Sequence, residues 1–225
     1  QASRSMDDEI AADIIKSPID VLIGGGYKYF DETENGVHTL SAMKTKGYEI
    51  VKTLDEAKKS TSKKIAAFVV DKHLPAIHDG RDSNFLKDAS LLAIDKLSRN
   101  ENGFFLMIEG SQIDWGGHEG KAEYTLNELK DFDRTLNAVL DFAEKNGETL
   151  VIVTGDHETG GLIIQDDGNK ATFDYTSNRY VNGERKHTGL MTPVYAYGNQ
   201  AEQFIGIYQN TAIFDKIFKI LNLKK

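Results

Sequence analysis

The sequence contains no cysteine among its 225 residues. This absence excludes disulfide bonds and any zinc site held by thiolates. It is compatible with every cellular compartment, because a chain without thiols says nothing about its redox environment. A transition metal bound by this chain would therefore take imidazole or carboxylate ligands.

Long hydrophobic stretches are missing as well. No run approaches the roughly 18 apolar residues of a membrane-spanning helix, so we expect no membrane span. Residues 1–9 lack the basic and apolar regions of a signal peptide, and the chain does not begin with Met. We interpret this beginning as that of a processed or shortened chain.

An excess of positive charge is likewise absent. Lys and Arg number 27 against 35 Asp and Glu, which gives a net charge of -8 at pH 7. A nucleic-acid surface needs clustered Lys and Arg, so the composition argues against a nucleic-acid partner. Hydrophobic residues make up 40% and charged residues 28%, as in an ordinary globular protein with a buried core.

Strand-like and helix-like patterns alternate along the chain, without a repeat or a linker. This alternation predicts a single α/β domain over residues 1–225. Residues 27–36 are predicted to be turn-rich, and residues 165–186 to be polar and irregular. The predicted strands are 20–23, 48–51, 65–70, 103–108, 149–154 and 193–197, and the predicted helices are 6–16, 40–46, 54–59, 85–97, 124–145 and 213–223.

The longest predicted helix, residues 124–145, has apolar residues at helical spacing, and Gly147 follows it. Asp131 and Asp133 fall on its polar flanks, where we expect solvated side chains. The predicted buried stripe comprises Leu126, Leu129, Phe132, Leu136, Val139, Leu140 and Ala143.

Two segments outside the main candidate site could also bind a ligand, a phosphate group in one case and a metal ion in the other. Gly24–Gly26 follow a predicted strand, but their spacing matches neither G-x-G-x-x-G nor a P-loop. We therefore interpret them as a tight turn without room for a Cβ atom. The predicted loop 71–84 holds His73, His78 and Asp79, which could be metal ligands. No helical or strand spacing brings them together.

Carboxylates and imidazoles are concentrated in three glycine-bearing segments, 103–118, 150–161 and 186–189. The first two are apolar runs of strand length that end in these side chains. An α/β protein places functional groups at the carboxyl ends of its strands in this way. The candidate metal ligands are Glu109, Asp114, His118, Asp156, His157 and His187.

The spacing of Asp114 and His118 would place both on one face of a helix. Gly116 and Gly117 lie between them and would cost a regular helix about 1 kcal/mol each relative to Ala. A turn in which the backbone passes close to an ion fits the spacing equally well. The sequence leaves both alternatives open.

A carboxylate and a neutral imidazole are ligands of zinc or another divalent metal, whereas an all-oxygen site suits Mg²⁺. Asp156 and His157 are adjacent, so only a bent loop lets both serve one ion. The candidates exceed the needs of one catalytic zinc, and we expect two or three ions close together, as in phosphoryl displacement. Each of these residues taken alone would usually be a solvated group. The same ligand types follow two separate apolar runs, however, and this joint pattern favours a shared metal site.

At these residues the sequence resembles the alkaline phosphatase family. The likeness covers essentially the whole chain, and its motifs agree in order and spacing. It implies a three-layer α/β/α sandwich of the alkaline phosphatase type, of which this chain would be the C-terminal portion. The motifs are Glu109-Gly-Ser-Gln-Ile-Asp114 with His118, Thr154-Gly-Asp156-His157-Glu-Thr-Gly-Gly161, and His187-Thr-Gly189 followed by Pro193-Val-Tyr-Ala-Tyr-Gly198.

The resemblance implies two zinc sites and one magnesium site. Asp114, His118 and His187 would hold one zinc ion. Asp156 and His157 would hold the second, which a further aspartate outside this chain would complete. In such an enzyme a serine attacks phosphorus and the resulting phosphoserine is hydrolysed, with the metals acting as Lewis acids.

Glu109 would serve the magnesium site, completed by that same aspartate and a hydroxyl residue. In the family these groups, the nucleophilic serine and a phosphate-binding arginine precede the segment that matches Gly24–Gly26. Asp82-Ser83-Asn84 mimics the nucleophile motif only superficially, because no strand directly precedes it. The resemblance therefore assigns no nucleophile to this chain, and we expect little phosphatase activity from it alone.

Two other functions stay open on the sequence alone. One is a phosphodiesterase or phosphomutase of the same superfamily, although the spacing of Glu109, Asp114 and His118 favours the phosphomonoesterase. The other is a non-catalytic metal-binding module. The resemblance also implies phosphate monoesters as substrates and a periplasmic or extracellular location. Family members are often homodimers.

Overall fold

The computed structural model describes residues 3–31, 39–166, 168, 170–175, 180–181 and 184–223. The chain divides into two compact units, residues 1–108 (unit 1) and residues 109–225 (unit 2). Unit 1 contains α1 (Asp7–Lys16), β1 (Val21–Gly24), α2 (Tyr27–Asp31), α3 (Thr39–Thr45), β2 (Tyr48–Val51), α4 (Leu54–Lys59), β3 (Lys64–Phe68), a 3₁₀ helix (Ile77–Asp79) and α5 (Phe85–Leu97).

The strands of unit 1 form a parallel sheet in the order β1-β3-β2. Its central strand is buried from Ile65 to Phe68, because successive side chains of β3 enter two different cores. Ala66 and Phe68 lie in a core with α1, α2 and α3, whereas Ile65 and Ala67 lie in a core with α4 and α5. Unit 1 is therefore a three-layer α/β/α arrangement, which the family resemblance implied.

Local signals account for the ends of several elements. Thr53 and Glu56 form a capping box at the start of α4, since each side chain accepts a hydrogen bond from the other residue's backbone N–H. A Cβ atom on Gly25 would collide with the carbonyl oxygen of Lys72, so the predicted lack of room for a Cβ atom is confirmed at Gly25. It is wrong for Gly24, which ends β1 and has nothing within 4 Å of a Cβ atom.

The predicted turn-rich segment 27–36 begins instead with the short helix α2, which ends at Asp31. The rest of that segment lies outside the described residues.

The predicted strand 103–108 is not a strand in the structure. Among the described residues, none pairs with it in a sheet. Its exposure nonetheless alternates, since Phe105 and Met107 are 62% and 76% exposed while Leu106 between them is half-buried. The segment has the apolar composition of a strand but lacks the hydrogen-bonding neighbour that makes one.

Unit 2 is built of helices and antiparallel strand pairs. The pairs are β4 with β11, β5 with β10, β6 with β7, and β8 with β9. Its elements are α6 (Gln112–Glu119), α7 (Ala122–Asn146), β4 (Val151–Thr154), β5 (Glu158–Thr159), β6 (Leu162–Asp166), β7 (Ala171–Tyr175), β8 (Tyr180–Val181), β9 (Glu184–Arg185), β10 (His187–Thr188), β11 (Val194–Tyr197), a 3₁₀ helix (Ala201–Phe204) and α8 (Ala212–Ile220).

The expectation of an irregular segment 165–186 is wrong for its described part. β6 and β7 pair over five residues each, from Leu162 with Tyr175 to Asp166 with Ala171. The polar composition misled the prediction, because most of this hairpin is exposed and needs no apolar alternation. Residues 167, 169, 176–179 and 182–183 of the predicted segment lie outside the described residues.

The buried face of α7 differs from the predicted stripe. Asp131, expected to be solvated, is only 1% exposed, whereas Leu129 of the stripe is 45% exposed. Arg134 lies one turn away with Nη2 3.6 Å from Asp131 Oδ1, which offsets part of the cost of burying the carboxylate. Asp133 is exposed, as predicted.

With 25 residues, α7 is the longest described helix. Neither it nor any other helix in the described part of the chain has the length and hydropathy that crossing a bilayer requires.

Phe68 is the largest fully buried side chain of unit 1, and its ring lies 4.5 Å from that of Phe30. We expect Phe68→Ala to lower the free energy of unfolding by about 3–5 kcal/mol, because it opens a cavity in the sheet core. Urea denaturation followed by circular dichroism measures the loss. Phe105→Ala is the control, since its exposed ring should change stability by no more than about 0.5 kcal/mol. Equal losses would contradict the assignment of the core.

Candidate metal centre

Helix α6 places two candidate ligands on one face. Asp114 and His118 lie one turn apart, and His118 Nε2 is 3.3 Å from Asp114 Oδ2. Of the two alternatives that the sequence left open, the structure therefore selects the helix. The helix ends at Glu119, and Gly120 follows it in the left-handed conformation.

The two glycines inside α6 allow close packing on both sides. A Cβ atom on Gly116 would lie 2.9 Å from the backbone nitrogen of Thr125 in α7. One on Gly117 would lie 2.8 Å from the carbonyl oxygen of Thr159 in β5. These glycines lower the helix propensity of α6, but any larger residue would push the helix away from both α7 and β5.

Three ligand groups converge at this place. Asp114, His118 and His187 each offer a ligand atom, and these atoms all lie within 4.8 Å of one another. His187 Nε2 is 3.2 Å from His118 Nε2 and 3.6 Å from Asp114 Oδ1. Two ring nitrogens so close need a proton or a cation between them, since two lone pairs repel.

Outer hydrogen bonds fix the tautomer of His118. Its Nδ1 lies 2.6 Å from the carbonyl oxygen of Arg185. A carbonyl can only accept, so Nδ1 carries the proton and the lone pair of a neutral ring is on Nε2. That lone pair faces the cluster, as a metal ligand requires.

The hydroxyl of Thr159 connects two candidate ligands. It donates a hydrogen bond of 2.6 Å to Asp114 Oδ1. Its only proton is thereby used, so it accepts from His157 Nδ1 at 3.2 Å. His157 consequently keeps its Nε2 lone pair free for a ligand, and Nε2 is 3.2 Å from Asp156 Oδ2.

The third imidazole lies between the other two. The ring of His187 stacks on that of His157 with 3.5 Å between centroids, and its centroid is 5.0 Å from that of His118. Burial, followed by the neighbouring His157, lowers the pKa of His187 below its ordinary value. His187 is therefore neutral near pH 7, the form that binds a metal.

The structure brings some of the predicted ligands together and leaves others apart. Asp114, His118 and His187 form the cluster, and His157 stacks against it. Asp156 contacts His157 but has a highly exposed side chain, and Glu109 is exposed and lies outside the three-residue cluster. Among the described residues no other group of three His, Asp or Glu ligand atoms occurs, so the loop 71–84 forms none.

The three residues of the cluster could hold a divalent metal ion. The ligand atoms of a tetrahedral zinc, with bonds of about 2.0–2.2 Å, lie roughly 3.3–3.6 Å apart. His118 Nε2 lies 3.2 Å from His187 Nε2 and 3.3 Å from Asp114 Oδ2, whereas the 3.6 Å contact of His187 Nε2 is to the other carboxylate oxygen, Asp114 Oδ1. Two neutral imidazoles and a carboxylate are also a donor set that zinc favours, and a fourth position stays open to another ligand.

Thr159 and the backbone of Arg185 contribute to the site but were not among the residues predicted from the sequence. Thr159 follows two residues after His157, so its place within the Asp-His-Glu-Thr-Gly-Gly segment was a signal that could have been used. No sequence signal identifies the Arg185 carbonyl, because a backbone group carries no side-chain identity. Its role follows from the pairing of β10, which begins at His187, with β5.

We expect Gly117→Ala to lower the free energy of unfolding by about 1–3 kcal/mol, because its Cβ atom overpacks the contact with Thr159. Chemical denaturation of the metal-free chain measures the loss. Gly189→Ala is the matched control, since nothing lies within 4 Å of a Cβ atom there and the glycine also neighbours a candidate ligand. A neutral Gly117→Ala would show that α6 is free to move from β5.

Comparison with known proteins gives the same family throughout. The family model described as alkaline phosphatase matches residues 1–183. Alkaline phosphatase 4 of Bacillus subtilis is 33% identical over all of this chain and 61% of its own length. Alkaline phosphatase 3 of the same organism is 31% identical over 92% of this chain and 59% of its own length.

The solved structures agree. A variant of TAB5 alkaline phosphatase with Mg bound in the M3 site has a TM-score of 0.88 and 36% identity, over all of this chain and 66% of that one. The predicted partial alkaline phosphatase-like α/β fold is confirmed. The chain spans about three-fifths of the length of the curated relatives it matches. By its sequence and its fold, it belongs to the alkaline phosphatase family.

Proposed function

We propose that this chain supplies the main metal ligands of a metal-dependent phosphomonoesterase, an alkaline phosphatase. The observation that carries the proposal is the convergence of Asp114, His118 and His187 in a member of this family. Phosphate monoesters would be the substrates. The relatives named above are phosphatases, which favours this reaction over that of a phosphodiesterase or phosphomutase.

Each group of ligands has a proposed ion. Asp114, His118 and His187 would hold one zinc ion, and their donor types and spacing support this assignment. Asp156 and His157 would hold a second zinc ion, supported by the Nε2 lone pair that Thr159 leaves to His157.

Magnesium is the proposed ion for Glu109, an exposed carboxylate before α6. A hard cation prefers oxygen ligands, and Glu109 has no imidazole partner in the three-residue cluster. The related TAB5 variant binds Mg in its M3 site, which supports a magnesium site in this family.

The residues of this chain would hold the metal ions and orient the imidazole rings, and they would not attack phosphorus. When bound, zinc supplies Lewis acidity toward a phosphoryl oxygen and lowers the pKa of water. The Arg185 carbonyl and the Thr159 hydroxyl hold the protons of His118 and His157 on Nδ1, so neither proton competes with a metal at Nε2. The lowered pKa of His187 keeps its imidazole neutral near pH 7.

The nucleophile would come from residues other than those of the cluster. Ser83 lies in the loop before α5, in unit 1, and we assign it no role in the reaction. We place three groups in the part of the alkaline phosphatase fold that this chain does not cover. They are the serine that attacks phosphorus, the aspartate that completes the second zinc site and the hydroxyl ligand of magnesium.

Location, assembly and domain organisation stay predictions. Cell fractionation tests the periplasmic or extracellular location, and light scattering tests whether the chain forms the homodimer common in the family. The interpretation of residues 1–225 as one domain predicts a single cooperative transition in calorimetry, although contacts divide the chain into two units.

We expect the purified chain to bind one zinc ion with high affinity and a second one more weakly, because the second site lacks the aspartate that would complete it, and His157→Ala to bind only the first. The reason is that His157 belongs to the second site and its removal leaves Asp156 alone there. Zinc content after dialysis, measured by mass spectrometry, gives the stoichiometry. His73→Ala is the control, because His73 lies outside the cluster and should leave both ions bound.

The same preparations test the reaction. Little hydrolysis of p-nitrophenyl phosphate is expected from the 225-residue chain, because its nucleophile is proposed to lie elsewhere. Robust turnover that disappears in His157→Ala would contradict that placement of the nucleophile. Zinc uptake without activity, even after addition of the unmatched part of alkaline phosphatase 4, would favour a non-catalytic metal-binding module.

A further inference from the structure

We propose that Glu158 is a positioning residue that ties the segment carrying Asp156 and His157 to the segment carrying His187. The inference rests on the proposed function, because it concerns the geometry of the proposed zinc ligands. Glu158 follows His157 directly, but its side chain makes its contacts away from the cluster.

The carboxylate of Glu158 accepts three hydrogen bonds. Oε1 accepts from the backbone N–H of Gly161 at 2.8 Å and of Leu162 at 3.1 Å. Oε2 accepts from the hydroxyl of Thr188. One oxygen therefore closes the turn after β5, and the other reaches the residue that follows His187.

The backbone around this contact provides little other support. β5 and β10 are two residues long each, and they pair Glu158 with Thr188 and Thr159 with His187. The Gly160 N–H adds a hydrogen bond of 3.1 Å to the Lys186 carbonyl. Two strands this short separate easily, so the half-buried carboxylate of Glu158, which connects β5 to β10, does much to hold them together.

The position of His187 depends on this register. Its ring stacks on His157 at 3.5 Å, and its Nε2 is 3.2 Å from that of His118. A slip of β10 by one residue would turn His187 to the opposite face. The contact from Glu158 to Thr188 opposes this slip, and it therefore sets the spacing between the imidazoles.

Two variants separate the halves of this contact. Thr188→Val removes the hydroxyl but keeps the shape and leaves both backbone hydrogen bonds to Glu158. Glu158→Gln keeps one oxygen for Gly161 and Leu162, and its amide can donate to the Thr188 oxygen. Glu158→Ala removes all three hydrogen bonds.

Competition with a chromophoric chelator measures the zinc affinity of each full-length variant. We expect Thr188→Val and Glu158→Ala to weaken it by about 10- to 100-fold, the usual effect of losing an outer support of a metal ligand. Glu158→Gln should stay within a few-fold of the original chain. The visible absorption of bound cobalt, which reports ligand geometry, should change in the first two variants and not in the third.

Glu144→Ala is the matched control, because this carboxylate is exposed near the end of α7 and should leave the zinc affinity unchanged. Original affinity and an original cobalt spectrum in Thr188→Val would overturn the inference. If Glu158→Ala does not fold, Thr188→Val and Glu158→Gln still decide it. An original chain that binds no zinc at all would overturn the proposed function instead.

Discussion

A hydroxyl group has one proton to donate, and that of Thr159 goes to Asp114. This constraint determines what surrounds it. The oxygen must accept from His157, so the proton of that ring is on Nδ1 and its Nε2 is left to a ligand. One threonine thereby holds a carboxylate of α6 by a hydrogen bond and fixes the position of the ring proton on an imidazole that precedes β5. The contact exists only because Gly117 lets α6 approach the backbone of β5.

The two units are stabilised in different ways. In unit 1 a parallel sheet is covered by helices, and the residues of its central strand from Ile65 to Phe68 are at most 2% exposed. The candidate ligands lie in unit 2. Asp114 and His118 are on α6, and His187 is on the two-residue strand β10. The other candidates lie outside regular elements, next to α6 or to the two-residue strand β5. Such strands bury little apolar surface, so side-chain hydrogen bonds carry much of their order. The polar groups around the cluster therefore matter as much as the ligands themselves.

The errors of the sequence analysis share one cause. Periodicity reports which residues are apolar, but it does not report which partner is present to cover them. Residues 103–108 have the apolar composition of a strand and no strand neighbour among the described residues. Asp131 is buried although α7 has apolar positions such as Leu129 that stay exposed. The hairpin of β6 and β7 was missed because its cross-strand hydrogen bonds leave no trace in the sequence of either strand.

The sequence by itself determined the three sheet strands and most helices of unit 1, the family, and the identity of the candidate ligands. Apolar run length, capping residues and motif spacing are local properties, and a single chain displays them directly. Only the tertiary structure decided that Asp114 and His118 share a helical face and that the side chain of Asp156 is highly exposed. It also supplied the distances at which His187, which the resemblance had grouped with Asp114 and His118, approaches them. It also assigned the ring protons, through Thr159 and the Arg185 carbonyl. These contacts join residues distant in sequence, and their geometry depends on packing that no local pattern encodes.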